Sequence, residues 1–470
     1  MNTIPLSEAP RSSPALRRTA LLLLLLLATA IALLVLWPRP RALAPPPVAA
    51  VAVAVEETAQ ASLARIPPLP AETDAGQALE KARARVLATP DTAAWLALGE
   101  SLAQAQRSSG QAAYYDHAEM AYRRALALAP RSVEAMTGLA WVFGGRHRFS
   151  WSVEWAQRAL AVNPDHHPAH GLLGDAALEQ GDYEAAFTHY QAMMDLRPDL
   201  SSWSRGAHLL WLTGHQTQAV ALMERAIRSG APFAENTAWC RVRLATMLLH
   251  DGALPAAAQA LAPALKSMPN DPQVLLTAGR IAVAQEDLPR ARHCFEQVLE
   301  HSPHHDALVA LGELGLAQGD AAAAEVYFQK VEALHAANRA AGAHDHTAMA
   351  KFYADHDRHL DEALRLAGEH PDTANVLEAD VLAWVCFKTG DQPRAIATMK
   401  KALRQNTPDP ELHFHAGMIA AKAGERSAAE RHLQLALAMN PRFHPLHAPV
   451  AHATLAALST APGATAQAIR

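Results

Sequence analysis

Residues 167–200 read HPAHGLLGDAALEQGDYEAAFTHYQAMMDLRPDL, and the order of small, large and turn-forming residues in this stretch decides the fold. Leu173, Gly174 and Ala177 recur at the spacing of one helical face, Gly181-Asp182 is a turn signal, and Ala186, Tyr190 and Met193 mark a second helix before Pro198. The same order returns at Ala278, Gly279, Ala282, Ala291, Phe295 and Val298. It returns again at Ala416, Gly417, Ala420, Gly424, Ala429, Leu433 and Ala436. Pro130, Pro164, Pro198 and Pro232 fall at an interval of about 34 residues, as do Pro269 and Pro303, which is the length of a two-helix repeat.

Small residues where two helices cross let the backbones approach, large apolar residues fill the groove between pairs, and proline stops the second helix. Such units cannot bury their apolar faces alone, so they stack. Trp95, Leu98, Gly99, Ala118, Tyr122, Ala125 and Pro130 carry a pattern that resembles the tetratricopeptide repeat family, and the resemblance spans residues 91 to 443. It implies an all-α superhelical solenoid of about ten helix-turn-helix units. The first unit holds about seven extra residues, assigned to a longer turn in the polar Gln106 to Gln111 stretch. The second has Gly144, Gly145, Arg146, His147 and Arg148 in place of the usual turn, and the eighth ends early at Pro371. Beyond Pro303 the proline spacing breaks, and the Ala333 to Ala343 segment is the expected place for a hinge or altered curvature. The solenoid is expected over residues 73–459, with capping helices at Thr73 to Thr89 and Pro445 to Ser459, and a disordered tail over 460–470.

Half of the residues are apolar and only 6% are aromatic, so the core is expected to be built from Ala and Leu. The net charge of −5 and the lack of clustered Lys and Arg supply no electrostatic footprint for nucleic acid. Residues 19–37 carry no charge and include the run Leu21 to Leu27, which predicts one transmembrane helix acting as a signal anchor. Arg11, Arg17 and Arg18 precede it and Arg39 and Arg41 follow. That bias places 1–18 as a cytoplasmic tail and the repeats in the periplasm of a bacterium, on the inner membrane. The competing reading is a cleaved signal peptide, for which the Ala42-Leu43-Ala44 site is followed by an unfavourable Pro45. No cysteine follows the segment, which excludes a lipoprotein, and the residues around Arg17-Arg18 do not otherwise match a twin-arginine signal. Residues 38–72, rich in Pro and Ala, are expected to be an extended linker.

No phosphate-binding loop, zinc-protease helix or nucleophile elbow is present, so no catalytic residue, enzymatic activity or cofactor is expected. Cys240, Cys294 and Cys386 are far apart and read as buried apolar fillers, Cys386 facing the core. The 25 histidines are the compositional oddity. Their best metal-binding cluster by sequence is His344, His346, His356 and His359, the basis of an alternative reading as a metal-binding or metal-sensing periplasmic protein.

In a stack of this kind the first helix of each unit lines the concave wall. The register places Trp141, Asp175, His208, Trp211, Trp239, Arg280, Glu313, Asp380, Trp384, Phe387 and Phe414 there as candidate partner-binding residues. A subset of the family that this chain resembles grips acidic tails with a clamp of Lys, Arg and Asn. Here the equivalent positions are Asp175, Glu313, Trp141 and Trp384, so the wall suits an apolar or mixed peptide or a partner surface. The expected function is a membrane-anchored scaffold for protein–protein interaction in an envelope complex. Repeat proteins of this layout resemble components of cytochrome c assembly, polysaccharide export or secretion machinery, among which the residues do not choose.

Overall fold

The computed structural model describes residues 59–70, 73–230, 234–300, 303–340 and 346–460. Helices α1 (Ala59–Ala64) and α2 (Asp74–Ala88) come first. They precede the antiparallel pairs α3 (Thr92–Ser109) and α4 (Ala113–Leu128), α5 (Val133–Gly145) and α6 (Phe149–Val162), and α7 (His167–Glu179) and α8 (Tyr183–Leu196). Next come α9 (Leu200–Leu212) and α10 (Gln216–Ser229), α11 (Ala234–His250) and α12 (Leu254–Ser267), and α13 (Pro272–Ala284) and α14 (Leu288–Leu299). The last pairs are α15 (His305–Ala317) and α16 (Ala321–Ala340), α17 (His346–Asp355) and α18 (Leu360–Ala367), α19 (Val376–Thr389) and α20 (Gln392–Ala402), and α21 (Pro410–Lys422) and α22 (Arg426–Met439). Helix α23 (His447–Thr460) closes the array, and no strand occurs among the described residues.

The Gly-Asp turn explains how one helix hands over to the next. Gly181 sits at φ +74°, the left-handed region open to glycine, while the Asp182 N–H reaches back to the Ala177 carbonyl at 2.8 Å. The Asp182 carboxylate then accepts the Ala185 N–H at 3.1 Å and caps α8. The glycines inside the first helices have a different task. A Cβ on Gly174 would lie 2.4 Å from the Tyr190 ring, one on Gly279 2.3 Å from Phe295, and one on Gly312 2.3 Å from Phe328. Tyr122 is flanked by two such glycines, Gly99 and Gly138, so one ring locks the first pair to the second. The repeating Gly and aromatic residues are therefore a knob and its hole.

Three local expectations need correction. The extra residues of the first unit lengthen α3, which runs to Ser109, rather than the turn. The Gly144 to Arg148 stretch does make a turn, with His147 at φ +55°. The segment expected to be linker is packed where it is described. Leu63 and Ile66 are buried, Arg83 donates to the Leu63 carbonyl at 3.2 Å, and the Tyr114 hydroxyl donates to the Pro67 carbonyl at 3.3 Å. The expected transmembrane span 19–37 and the tail 1–18 lie outside the described residues, as do residues 461–470. Among the described residues no helix is long and apolar enough to cross a membrane.

The solenoid winds tightly enough to touch itself six pairs later, and a regular seam joins the two turns. Asn375 Nδ2 donates to the Glu179 carbonyl at 3.1 Å, Thr407 Oγ1 to the Leu212 carbonyl at 2.5 Å, and Asn440 Nδ2 to the Leu249 carbonyl at 2.8 Å. The acceptors lie at the C-terminal ends of α7, α9 and α11, where helical carbonyls lack intrahelical partners. The donors stand just ahead of α19, α21 and α23. Gly181 and Gly252 permit the approach, since a Cβ there would meet the backbone of Ala374 at 2.1 Å and of Met439 at 2.5 Å. Arg404 fastens the first rung by donating to the carbonyls of Gly181 at 2.7 Å and Ala374 at 2.6 Å.

Candidate functional site

One stripe of α11, formed by Trp239, Arg243, Thr246 and His250, shows which way the first helices face. Its far end, Thr246 and His250, lines an internal cavity of about 370 Å³ together with Arg280, Glu313, Lys351 and Glu411 of four other first helices. The stripe therefore faces the axis of the superhelix, and the predicted wall residues divide along it into an open and a filled half.

In the open half Trp239 keeps 40% of its surface exposed, with the Arg243 guanidinium 5.1 Å from its ring centre. Trp141 is half-buried, 5.3 Å from the Tyr115 ring and 5.7 Å from the Arg107 guanidinium. Asp175 is engaged, accepting the Tyr190 hydroxyl at 2.8 Å and the Arg205 fork at 2.9 Å. His208 stacks 6.4 Å from Trp211; burial, and then the charge of Arg243, push its pKa down to about 3. Arg280 is exposed and reaches Asp306 at 2.9 Å. Trp211 itself is only 7% exposed and belongs to the core, which removes it from the contact surface.

The filled half departs further from expectation. Trp384 and Phe414 are 3% and 1% exposed, and Glu313 and Asp380 are buried. Phe387 is half-buried, stacked 4.9 Å from the Trp384 ring. These residues surround an ionic network. Lys351 Nζ lies 2.6 Å from Asp355 and 2.9 Å from Glu411, bridging α17 and α21. Burial opposes its charge, but the two carboxylates outweigh that and hold its pKa well above the lysine range. Burial likewise opposes the Glu313 carboxylate, yet His444 at 3.3 Å and His356 at 3.5 Å keep it well below the usual range. The Trp384 indole donates to Asp355 at 2.8 Å. In this half, positions expected on the wall are core positions.

The histidine cluster expected from sequence does not assemble among the described residues. His346 pairs with Glu369 at 2.6 Å, His356 with Glu313 at 3.5 Å and His359 with Glu332 at 3.3 Å, three separate carboxylates. His344 lies outside the described residues. The structure gathers instead His415, His444 and His447 with Asp355 and Glu411, which sequence proximity could not show because they come from α17, α21, α23 and the loop before α23. The three cysteines are buried as expected. His147 and Phe149, from the irregular second unit, line a cleft of about 900 Å³ along the seam with Glu179, Glu369 and Glu378.

With the geometry defined, three stretches, residues 143–201, 276–339 and 381–442, match the family model described as tetratricopeptide repeat. The chain carries tetratricopeptide repeats. It is 30% identical over 225 residues to cellulose synthase 1 operon protein C of Komagataeibacter xylinus, a match covering 46% of this chain and 16% of that protein. Among solved structures it is similar to PilF of Pseudomonas aeruginosa, at 20% identity and a TM-score of 0.35, over 47% of this chain and 93% of that one. It is also similar to human IFIT1 in a dimer with PPP-AAAA, at 15% identity and a TM-score of 0.46, over 67% and 72% of the two chains.

Proposed function

We propose that the chain is an interaction scaffold that receives an extended or helical segment of a protein partner along the open half of its inner wall. The observation that carries this reading is the axial stripe of α11, where Trp239 stands exposed beside Arg243 while equivalent aromatics in the second half are sealed in the core. An indole and a guanidinium presented together are the side chains enriched at binding hot spots. With His208, Trp141 and Arg107 they suit a segment of mixed apolar and acidic character. A photo-crosslinking amino acid at position 239 should give one discrete adduct in the native host, and the same group at Leu128, exposed at the end of α4, should give none. Indistinguishable patterns from the two positions would refute the assignment.

The uncharged stretch 19–37 supports a single membrane anchor, with the repeats in the periplasm at the outer face of the inner membrane. A reporter fused to the C-terminus that is active only in the cytoplasm would overturn this topology. Likeness to a protein named for a cellulose synthase operon makes a polysaccharide-producing envelope complex the first place to seek the partner.

A further inference from the structure

The interior of the second superhelical turn holds two imidazoles and a carboxylate arranged as a coordination set. His415, on α21, is fully buried, and its Nδ1 lies 3.0 Å from both oxygens of Asp380. That carboxylate fixes the proton on Nδ1 and leaves Nε2 as a bare acceptor, and Nε2 finds no hydrogen-bond partner among the described residues. His447, on α23, repeats the arrangement. Its Nδ1 lies 3.2 Å from Glu411 Oε1, and its Nε2 faces Asp355 Oδ1 at 3.9 Å. Asp355, His415 and His447 offer one ligand atom each, all within 4.8 Å of one another.

We propose that Asp355, His415 and His447 bind one divalent transition-metal ion of the zinc class. An imidazole whose far nitrogen is held by a carboxylate is the form in which histidine is presented to metals, because the outer partner sets the tautomer and aims the ring. Two nitrogens and one oxygen suit zinc and its neighbours rather than calcium or magnesium. A tetrahedral zinc with bonds of about 2.0–2.1 Å needs ligand atoms about 3.4 Å apart, so the rings have to draw together by about an ångström.

Charge and access agree with the geometry. Asp355 and Glu411 share one ammonium, Lys351, and Asp380 lies against His415, so with neutral imidazoles the cluster carries two net negative charges that a dication balances. Lys351 holds Asp355 through Oδ2, whereas Oδ1 faces His447 and accepts only the Trp384 indole among the described residues. The cavity of about 370 Å³ reaches Asp355 and Glu411 and provides a route inward. A second set, Glu411, His444 and His447, also converges, but His444 is already committed. Its Nδ1 accepts the N–H groups of Leu446 and His447 at 3.2 and 3.3 Å, and its Nε2 donates to Glu313.

The test is calorimetric titration of the full chain, stripped of metal with a chelator, with zinc chloride. One equivalent should bind, and cobalt at the same stoichiometry should give the visible absorption of a site with nitrogen and oxygen ligands. His415→Ala and His447→Ala should weaken binding at least 100-fold. Asp380→Asn, which keeps all three ligands and removes only the orienting carboxylate, should weaken it about 10–100-fold. His432→Ala, at a pair outside the cluster where His413 and His432 lie 3.1 Å apart, should leave the titration unchanged. Absence of stoichiometric binding to the native chain overturns the proposal even if the alanine variants fail to fold. Binding that survives His415→Ala in a helical, folded protein does so equally.

Discussion

Removing the three seam donors together, with Asn375→Ala, Thr407→Val and Asn440→Ala, should uncouple the two turns of the superhelix without melting its helices. Asn375→Ala and Thr407→Val strand the helix-terminal carbonyls of Glu179 and Leu212, whereas the Leu249 carbonyl keeps the Gly252 N–H at 3.0 Å when Asn440 is removed. An orphaned buried acceptor costs about 1–3 kcal/mol. Asn375 also caps α19 through the Leu377 N–H at 2.9 Å, and losing such a cap costs about 1 kcal/mol. The rungs belong to different helix pairs, so their effects should be close to additive: two orphaned acceptors, the cap and about 1 kcal/mol for the lost Asn440 bond place the triple variant about 4–8 kcal/mol below the native chain. Urea denaturation followed by circular dichroism should show a midpoint lower by about 1 M or more and a broader transition, because an unclosed solenoid is held only by nearest neighbours. Small-angle scattering without denaturant should report a larger radius of gyration. As a control, Asp271→Ala, which removes the cap of α13 at the Val274 N–H and touches no rung, should cost about 1 kcal/mol and leave the dimensions alone. A triple variant with native midpoint, sharpness and radius would refute the claim that the seam holds the turns together.

Three further outcomes follow from particular residues. Gly279→Ala places a methyl 2.3 Å from the Phe295 ring and should destabilise the chain by about 1–3 kcal/mol in the same urea assay, whereas Gly319→Asn, in an open left-handed turn, should be nearly neutral. His208 is held neutral, its pKa about 3 against an ordinary 6.5, so the unfolded chain takes up its proton first. The stability is complete above about pH 6.5 and falls by up to about 1.4 kcal/mol per pH unit as pH drops toward 3, and His208→Gln should flatten that slope by one proton in denaturation curves recorded between pH 7 and 4. Burial raises the Cys240 thiol to about 11 and raises Cys294 and Cys386 as well, so a thiol reagent at pH 8 should label none of them in the native chain and all three in urea; rapid native labelling would contradict the packing.

The repeat was legible because it is local. A glycine on one helix and the ring that fills its missing side chain on the next recur at fixed spacing, and the turn between them needs only a left-handed glycine and a capping aspartate. Helical periodicity likewise puts Trp239 and Thr246 on one side of α11, a stripe that Arg243 shares in the structure. Whether a wall stays open is not legible in this way. Openness depends on superhelical pitch, and the pitch is held by bonds between residues 191 to 196 positions apart, to which no local window is sensitive. Trp211, Trp384 and Phe414, expected on the wall, are core residues for that reason. Neighbouring histidines in sequence likewise turned out to face different carboxylates, while His415 and His447 meet only because α21 and α23 do.

The two halves of the inner wall answer different physical demands. In the open half, an exposed indole and guanidinium keep water on one side and can exchange it for a partner. In the filled half, facing helices bring carboxylates into a buried interior, and the sequence meets this with Lys351 between Asp355 and Glu411 and with histidines beside Glu313 and Asp380. Burying such groups is expensive unless they are paired, so the pairs formed by Lys351 with Asp355 and Glu411 and by the histidines with Glu313 and Asp380 hold the facing helices in one arrangement. That makes the filled half a rigid reference against which the open half is positioned, since the seam ties α7, α9 and α11 of the open wall to the elements that lead into α19, α21 and α23. A partner that engages Trp239 thus meets a surface whose spacing is fixed from across the superhelix, with little ordering left to be done on binding.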